Sequence, residues 1–301
     1  MFGVFSAGAP TRLDHLASAT KGSPHRPWGR PMTSILAIIL TYDSPADLEA
    51  CVAAVGAQTA PPAALLVVDN ASAPPAAVPG QIGGIPVTVQ REAFNSGPAG
   101  GHAAGLAWFA ERDFDAAWVL DDDMIPEPGC LAAQAEAMFG PGQDGRCLAY
   151  PAIIEQGATR PRWFPSWCGV LIPAAAVAAA GGPRADFFWW AEDSEYLQWR
   201  LPRAGFAGRK VPTAQVHHRR TRAARGRPPW KVYYEARNSV YYRLRVQEVS
   251  RHSVTRTIQI EGRLLLQVLL REPDKLTKLW LFTRGLIDGL RGRLGITVPV
   301  S

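Results

Sequence analysis

The stretch Ala116-Ala117-Trp118-Val119-Leu120-Asp121-Asp122-Asp123 joins an apolar run to three consecutive carboxylates. An apolar run that ends abruptly in charged residues is typical of a buried strand, which would carry the acidic side chains to the edge of a sheet. Three adjacent negative charges repel one another and therefore favour a compensating cation. Hard divalent cations such as Mg²⁺ and Mn²⁺ take oxygen ligands and often share them with phosphates. The stretch indicates a metal–diphosphate site, or else a solvated acidic turn before Pro126 and Pro128.

The residues upstream of this stretch alternate between apolar runs and helical patterns. The continuous apolar runs 34–40 and 64–68 are typical of parallel strands covered on both faces, and 87–89 is a shorter strand. Helical spacing is predicted over 46–57 and over about 102–112. Strands that alternate with helices imply right-handed crossovers, so the sequence predicts an α/β fold with a doubly wound, mostly parallel sheet. Ligands of such sheets bind beyond the carboxyl ends of the strands.

Polar residues stand at the predicted strand ends, where one pocket can contain them. Thr41 follows the first strand and Asp69 the second. The Asp69 carboxylate could accept a hydrogen bond from a ring N–H of a nucleobase, or it could form an Asx turn. Asn95-Ser96-Gly97-Pro98-Ala99-Gly100-Gly101 resembles a loop whose glycines let backbone N–H groups approach a phosphate at a helix start, with a plain turn as the alternative.

The second half of the chain has weaker patterns. The sequence predicts a strand over 168–172, an alanine-rich helix over 174–180, a helix from Glu192 to about Ala204 and a strand over 211–218. From Trp230 onward the pattern is helical.

Two candidate groups for chemistry lie in this half. Glu192 and Asp193 follow the aromatic run 187–190. A carboxylate beside an apolar wall can act as a general base because desolvation raises its pKa, although acids at helix starts are also favoured by the helix dipole. His217 and His218 end a strand, so only one can point into a pocket. That imidazole could complete a metal shell begun by carboxylates, or the pair could lie on the surface.

Composition narrows the class of protein. The chain has 301 residues, 47% of them hydrophobic, with a net charge of +6 and a pI of about 9.3. We expect no nucleic-acid partner, because the positive charge is accompanied by no recognition motif. The four cysteines have no CxxC spacing and are expected to be buried free thiols of a reducing compartment. Residues 1–32 lack the apolar segment of a secretory signal and are expected to form a flexible tail.

The order of these motifs over residues 33–245 resembles that of family 2 glycosyltransferases of GT-A fold. The glycine loop, the triple aspartate and Trp190-Ala191-Glu192-Asp193-Ser194-Glu195-Tyr196 are similar to the galactofuranosyltransferase and rhamnosyltransferase branch. Tyr233-Tyr234-Glu235-Ala236-Arg237-Asn238 resembles a tyrosine-rich RN motif of the same branch. The resemblance implies a GT-A catalytic domain over 33–229 and a C-terminal helical region over 230–301.

The resemblance also implies roles at the donor side of the site. Thr41 and Asp69 would hold the nucleobase, and Asn95 and Gly97 would lie by the donor's diphosphate and sugar. The Asp121/Asp123 pair would bind Mn²⁺ or Mg²⁺, with Asp122 beside the ribose or sugar and His218 as third metal ligand. His218 fits this role better than His217 because Pro212, Ala214, Val216 and His218 alternate along one strand face. Pro98 and Glu192 depart from the branch's commonest residues.

At the acceptor side, Asp193 would be the general base. Four residues could line an acceptor groove: Trp163, Trp167, Trp190 and Glu192. For the three tryptophans, packing in the core is the alternative. The implied reaction is a single displacement that inverts the anomeric centre. The donor would be UDP-galactofuranose, with dTDP-rhamnose second, and the acceptor a hydroxyl of a glycan or lipid-linked molecule in cell-envelope polysaccharide synthesis. The alternative is a non-catalytic sugar-nucleotide-binding or scaffold protein.

The C-terminal helices have apolar patches flanked by cations. Leucines crowd residues 264–270 between Arg263 and Arg271, and a second patch spans 279–282. Such faces suit an anionic membrane surface, particularly for a lipid-linked acceptor, or they pack on the catalytic domain or on a second subunit. No apolar run reaches the roughly 18 residues that a membrane span needs. We therefore expect a cytoplasmic protein whose C-terminal helices pack on the catalytic domain or on a second subunit, and contact with the inner face of the cell membrane is the competing hypothesis.

Overall fold

The computed structural model describes residues 33–155, 158–160, 164–219 and 226–300. Residues from Thr33 onward form one compact unit. The predicted tail over 1–32 and the candidate acceptor residue Trp163 lie outside the described residues.

The strands of the described residues form one ten-stranded sheet. They are β1 (Ile35–Thr41), β2 (Ala64–Asp69), β3 (Gln81–Ile82), β4 (Ile85–Arg91), β5 (Ala116–Asp121), β6 (Met124–Pro126), β7 (Cys147–Glu155), β8 (Ala158–Arg160), β9 (Cys168–Pro173) and β10 (Ala207–His218). Their order is β3-β4-β2-β1-β5-β9-β7-β10-β6, and β8 pairs with β7.

The helices lie between these strands and at the C-terminal end. They are α1 (Pro45–Gly56), α2 (Gly97–Ala110), α3 (Cys130–Phe139), α4 (Ala174–Ala180), α5 (Glu192–Glu195), α6 (Leu201–Arg203), α7 (Pro229–Tyr241), α8 (Arg251–Arg271) and α9 (Lys275–Arg291). A 3₁₀ turn spans Ala185–Phe187, and π-helical turns span Tyr196–Arg200 and Tyr242–Val246.

The parallel part of the sheet brings the predicted site residues to one edge. Strands β4, β2, β1 and β5 run parallel, and every residue of β1 is buried because both faces of the strand are covered. The register pairs Thr41 with Asp69 and Leu40 with Asp121, so the carboxyl ends of three strands are level. This confirms the doubly wound α/β fold that the apolar runs predict.

Helices cover the sheet on both sides. On one face α1 and α3 pack through residues such as Leu48 and Leu131. On the other face α2, α4 and the π-helical turn after α5 contribute Phe109, Val177 and Leu197. The four cysteines are buried and free, as predicted.

The structure also contains elements that the sequence did not predict. Strand β7 and helix α3 lie in a stretch without clear periodicity, since β7 contains Pro151 and four of the ten residues of α3 are alanine. Helix α2 begins at Gly97, five residues earlier than predicted, so the glycine loop is its first turn. Strand β9 runs antiparallel to β5, and β7 joins the sheet beside it. Apolar runs carry no information on strand direction, so pattern alone could not give this pairing.

Candidate active site

A cavity of 390 Å³ opens at the carboxyl ends of β1 and β5. It is lined by the predicted acids, the glycine loop, an aromatic turn and the start of α7: Leu40, Thr41, Tyr42, Ser44, Asn70, Asn95, Gly97, Pro98, Asp121, Asp122, Asp123, Phe188, Trp189, Trp230, Lys231 and Val300. The structure therefore brings Thr41, Asn95, Gly97 and the triple aspartate together at one cavity, whereas Asp69, expected in the same pocket, does not line it.

Asp122 points back toward the first strand. The hydroxyl of Thr41 donates a hydrogen bond to Asp122 Oδ2 at 2.6 Å. Burial raises the pKa of Asp122 to about 7, and the charges of the neighbouring Asp121 and Asp123 raise it further. The hydrogen bond from Thr41 acts in the opposite direction. Asp121 and Asp123 thus lie close enough to disfavour the charged form of Asp122, and a bound cation would relieve that effect.

His218 lies against Asp123. Strand β10 pairs antiparallel with β6, and this register places His218 opposite Met124, beside the triple aspartate. Its Nε2 lies 3.0 Å from Asp123 Oδ2 and its Nδ1 lies 3.0 Å from Glu155 Oε1. His217 faces outward toward Glu127, in line with the predicted choice of His218.

This arrangement fits a divalent cation in part. A carboxylate that orients the far side of a metal-binding histidine is a common supporting contact, and Glu155 takes that position on Nδ1. Carboxylate oxygens and an imidazole nitrogen form a donor set suited to Mn²⁺ or Mg²⁺. Within the described residues, however, no three His, Cys, Asp or Glu side chains are grouped to hold a metal. Of the predicted ligands Asp121, Asp123 and His218, the structure joins the last two.

Asp121 contacts a histidine that the sequence analysis missed. His102 of α2 is fully buried, and its Nε2 lies 2.9 Å from Asp121 Oδ1. The ring stacks on Trp167 at 4.3 Å between centroids. Trp167 is itself buried and lies beside Tyr196, so it packs in the core rather than on an open groove. A polar ring inside the apolar pattern of α2 was the signal that could have revealed His102.

Glu192 is buried near the same acids. Burial raises its pKa to about 8, and Asp193 and Asp121 contribute further. Its Oε2 has no hydrogen-bond partner among the described residues. Asp193 is half-buried, and its Oδ1 accepts a hydrogen bond from the Ser194 backbone N–H at 2.6 Å. The acids of α5 and those after β5 therefore share one region, with Glu192 between them.

The turn before α5 is held in an unusual backbone conformation. Phe188, Trp190 and Ala191 have φ values of 64°, 78° and 66°, which L-residues rarely adopt. Strain of this kind persists only where the surroundings enforce it. Asn238 of α7 enforces it here, because its Nδ2 donates to the carbonyls of Phe187, Trp189 and Trp190. The RN motif thus positions the wall of the cavity, and Trp190, which stacks on Trp189 of the lining, is left 44% exposed.

The glycine loop packs directly against this turn. Asn70 Nδ2 donates to Asn95 Oδ1 at 3.0 Å and to the carbonyl of Gly97 at 3.1 Å. Gly97 has φ +71°, and a Cβ there would lie 2.1 Å from the Phe188 carbonyl oxygen. Only glycine allows the two segments to approach this closely.

Asp69 is buried below the cavity and does not line it. Its carboxylate accepts hydrogen bonds from the backbone of Ser72 and Ala76, and Arg91 Nη1 lies 2.5 Å from Oδ2. Burial alone would raise the pKa of Asp69, but these hydrogen bonds hold it below its usual range. The contacts with Ser72 and Ala76 match the turn-forming alternative, and the nucleobase role stays a prediction.

A second cavity of 610 Å³ adjoins the first and shares Thr41 and Ser44 with it. It lies between α1 and the proline-rich loop 72–79, and its walls are mainly apolar. Lys231 and Trp230 bring the start of α7 into the lining of the acidic cavity. The predicted domain boundary at 230 therefore passes through the wall of the cavity, and the sequence analysis assigned no role to Lys231.

Residues 36–171 match the family model described as Glycosyl transferase family 2. No curated protein sequence matches the chain. These residues include the parallel strands, the glycine loop and the triple aspartate.

Solved structures of similar fold include S. aureus TarS 1-349, with a TM-score of 0.54 and 12% identity over 87% of this chain and 82% of that one. The chain spans 49% of the longer S. aureus TarS. The Pyrobaculum calidifontis mannosyltransferase PcManGT, in complex with GDP-Man and Mn²⁺, has a TM-score of 0.52 and 14% sequence identity. The match covers 89% of this chain and 78% of that one. GalNAc-T7 with UDP, GalNAc and Mn²⁺ has a TM-score of 0.50 and 11% sequence identity. The match covers 77% of this chain and 55% of that one.

At these identities the structural likeness concerns the fold. It confirms the predicted GT-A architecture, and together with the family match it supports the predicted class of enzyme, a glycosyltransferase.

Proposed function

We propose that the protein is an inverting glycosyltransferase that moves a sugar from a nucleoside-diphosphate donor to an acceptor hydroxyl. The observation that carries the proposal is the convergence at one sheet edge of acids from two separate segments and a histidine from a third. Asp123 meets His218 of β10, and Glu192 of α5 lies within electrostatic reach of Asp121. Carboxylates gathered beside a cavity with one lysine, Lys231, suit a cation and a diphosphate.

The donor would occupy both adjoining cavities. Its nucleoside suits the apolar cavity between α1 and the proline-rich loop, and its diphosphate suits the acidic one. Asp123 and His218 would hold Mn²⁺ or Mg²⁺, which would offset charge on the departing diphosphate. Lys231, in the lining of the acidic cavity, carries an ammonium that can contact the same phosphates. UDP-galactofuranose is our first choice of donor and dTDP-rhamnose the second, on the resemblance of the motifs.

Asp193 would accept the proton of the acceptor hydroxyl as that oxygen attacks the anomeric carbon. Glu192 is less suited to this role, because a pKa of about 8 keeps it largely protonated at neutral pH. A protonated Glu192 could instead donate a hydrogen bond to a sugar hydroxyl. The exposed Trp190 offers a flat face for the acceptor glycan.

The test is a thermal-shift panel of nucleotide sugars with and without Mn²⁺, followed by transfer assays on Asp193→Asn and Glu192→Gln. We expect stabilisation by one nucleotide sugar that depends on Mn²⁺. Asp193→Asn should bind that donor normally but transfer at least 100-fold more slowly, since general-base catalysis contributes 10²–10⁴-fold. Glu192→Gln should retain most activity.

A non-catalytic sugar-nucleotide-binding protein would show the same stabilisation and no transfer by the unsubstituted chain. If Asp193→Asn loses donor binding while its melting temperature in the absence of ligand is unchanged, the base assignment is wrong. If no nucleotide sugar stabilises the protein, the proposed function fails.

The C-terminal helices have two opposite apolar faces. One packs inward through Leu264, Val268 and Phe282. The other is exposed along α8 and α9: Ile258, Leu266, Leu269, Leu270, Leu276, Trp280, Ile287 and Leu290. On α9 the exposed residues recur three to seven positions apart, which places them on one stripe. The C-terminal helices thus have one apolar face packed against α7 and another that is exposed.

We propose that this open face contacts an anionic membrane surface. Exposed cations flank it at Arg263, Arg271 and Lys275, whereas Lys278, which directly precedes the 279–282 patch, is buried against Glu272. Apolar residues edged by cations bind at the interface of anionic bilayers. Within the described residues no helix is both long and apolar enough to cross a membrane.

Vesicle flotation tests the contact. The protein should float with phosphatidylglycerol vesicles at low salt, and Trp280→Ser should weaken flotation several-fold. Phe94→Ser is the matched control, since Phe94 is 62% exposed against 60% for Trp280 but lies outside the C-terminal helices. No flotation at low salt, or equal loss in both variants, contradicts the proposal. Concentration-dependent dimerisation that Trp280→Ser abolishes would assign the face to a second copy instead.

A further inference from the structure

A third cavity, with polar walls, shares no lining residue with the acidic cavity at the ends of β1 and β5. Its volume is 490 Å³. It forms where the second π-helical turn meets the start of α8, and it is lined by Trp199, Arg243, Gln247, Glu248, Ser250, His252, Ser253 and Arg256. Two guanidinium groups and an imidazole therefore face a space that contains one carboxylate.

Positive charge predominates in the lining of this cavity, and Glu261, which lies outside the lining, offsets part of the charge of Arg243. Among the described residues, neither Arg243 nor Arg256 has a carboxylate oxygen within ion-pair distance, and the buried Arg243 Nε has no hydrogen-bond partner. Glu248, the single acid of the lining, is paired with Arg203 at 3.2 Å. Burial and the nearby Arg256 both lower the pKa of Arg243, so the two cations lie close enough to repel.

The N-terminus of α8 does not by itself make this cavity an anion site. Its first turn is closed by a capping box in which Ser250 and Ser253 satisfy each other's backbone groups. What remains available to a ligand is the pair of guanidinium groups, together with His252. Planar guanidinium groups bind phosphate through two parallel hydrogen bonds, and such bonds are about twice as strong as those between neutral groups.

The cavity stands close to the proposed catalytic base. Trp199 belongs to the helical segment that begins with α5, six residues after Asp193, or about 9 Å along a helix. Tyr242, adjacent to Arg243, donates a hydrogen bond from its hydroxyl to the Ser194 carbonyl at 3.1 Å. A ligand in this cavity would therefore lie next to the acceptor side of α5.

We propose that the Arg243/Arg256 cavity binds a phosphate or diphosphate ester group of the acceptor and so holds its hydroxyl near Asp193. This assignment rests on the proposed glycosyltransferase function for the identity of the acceptor. The existence of an anion site in the cavity does not depend on it. The phosphate could belong to a lipid headgroup or to a soluble ester, since both present the same oxygens.

Titration calorimetry of the full chain with inorganic pyrophosphate in EDTA tests the site. Arg256→Ala should raise the dissociation constant at least tenfold. Arg263→Ala is the matched control, because it removes an exposed cation from the same helix outside the cavity, and it should change binding less than twofold. Arg243→Gln, which keeps a polar group at the buried position, should also weaken binding, and its melting temperature reports whether it folds.

Equal binding by Arg256→Ala and the unsubstituted chain, or equal loss in Arg263→Ala, overturns the proposal. Donor binding with Mn²⁺, measured on the same variants, should be unchanged. If the unsubstituted chain binds no nucleotide sugar but Arg256→Ala still loses pyrophosphate, the anion site stands and the glycosyltransferase function fails. Displacement of pyrophosphate by glycerol phosphate indicates a soluble ester, displacement by phosphatidic acid vesicles alone indicates a lipid, and displacement by neither refutes an ester ligand.

Discussion

Replacing Glu261 by glutamine should stabilise the protein at alkaline pH. Glu261 is 7% exposed on α8, and both carboxylate oxygens lack hydrogen-bond partners among the described residues. Burial raises its pKa from 4.5 to about 7, with the nearby Glu235 adding to the effect and the nearby Arg243 opposing it. Such a change corresponds to roughly 3 kcal/mol between the two protonation states.

The sign follows from the proton count. Between pH 4.5 and 7 the unfolded chain has released the Glu261 proton and the folded chain has not, so stability falls as the pH rises. From pH 5 to pH 8 this group alone should cost the folded state about 2–3 kcal/mol. Glutamine does not titrate, so the difference in unfolding free energy between Glu261→Gln and the unsubstituted protein should grow by that amount. Urea unfolding at the two pH values measures it.

Glu272, which follows the last residue of α8, is a control because its pKa is shifted in the opposite direction. Glu272 accepts hydrogen bonds from Lys278 Nζ at 3.0 Å and from the Arg227 backbone at 2.9 Å. Burial tends to raise its pKa, but these partners hold the pKa below its usual range, so its stabilisation is present above about pH 4.5 and is lost as the pH falls. Glu272→Gln should therefore destabilise the protein at pH 8. An advantage of Glu261→Gln that does not depend on pH would refute the reasoning.

Three further substitutions test the packing around the site. Gly97→Ala should destabilise the protein by roughly 2 kcal/mol or more in urea unfolding and weaken donor binding, because φ is +71° and the methyl group would meet the Phe188 carbonyl; unchanged stability would contradict that contact. Gln134→Leu should cost roughly 3 kcal/mol, since the fully buried amide pairs with Trp118 Nε1 and two backbone carbonyls; a loss under 1 kcal/mol would show that the groups find other partners. His102→Phe keeps a ring against Trp167 but removes the contact with Asp121, and should weaken Mn²⁺ binding about tenfold in titration calorimetry with melting little changed; equal Mn²⁺ affinity would assign His102 to packing alone.

The parallel half of the fold could be predicted because its strands are uniformly apolar. Buried strands such as β1 and β5 have to be hydrophobic along their whole length, and their carboxyl ends have to be level, so the clustering of Thr41 with the triple aspartate followed from the pattern. Thr41 and the triple aspartate were placed at the cavity in this way, whereas Asn95 and Gly97 were suggested by the family resemblance.

The acceptor half was harder to predict because its contacts depend on long-range pairing. Glu155 reaches His218 through the parallel pairing of β7 with β10, and β7 has no clear periodicity. The predicted face of β10 was correct from Ala214 onward, whereas a register shift before Gln215 leaves Pro212 exposed. No local pattern encodes such a shift.

Other residues of the site have ordinary surroundings in the sequence. Lys231 lies in a basic stretch, and only the return of α7 over the sheet edge brings it to the acidic cavity. Trp167 was a candidate for the acceptor groove, but its ring is covered by His102 on α2, which comes from a distant segment. Stacking of this kind depends on tertiary packing.

The central claim is that acids from separate segments surround a cation that binds a diphosphate. Anomalous diffraction from crystals grown with MnCl₂ and UDP tests it most directly. We expect one manganese peak about 2.2 Å from an Asp123 oxygen and from His218 Nε2, with the diphosphate of UDP on its open side. UDP bound elsewhere, or manganese absent from this pair of side chains while UDP is bound, would contradict the account.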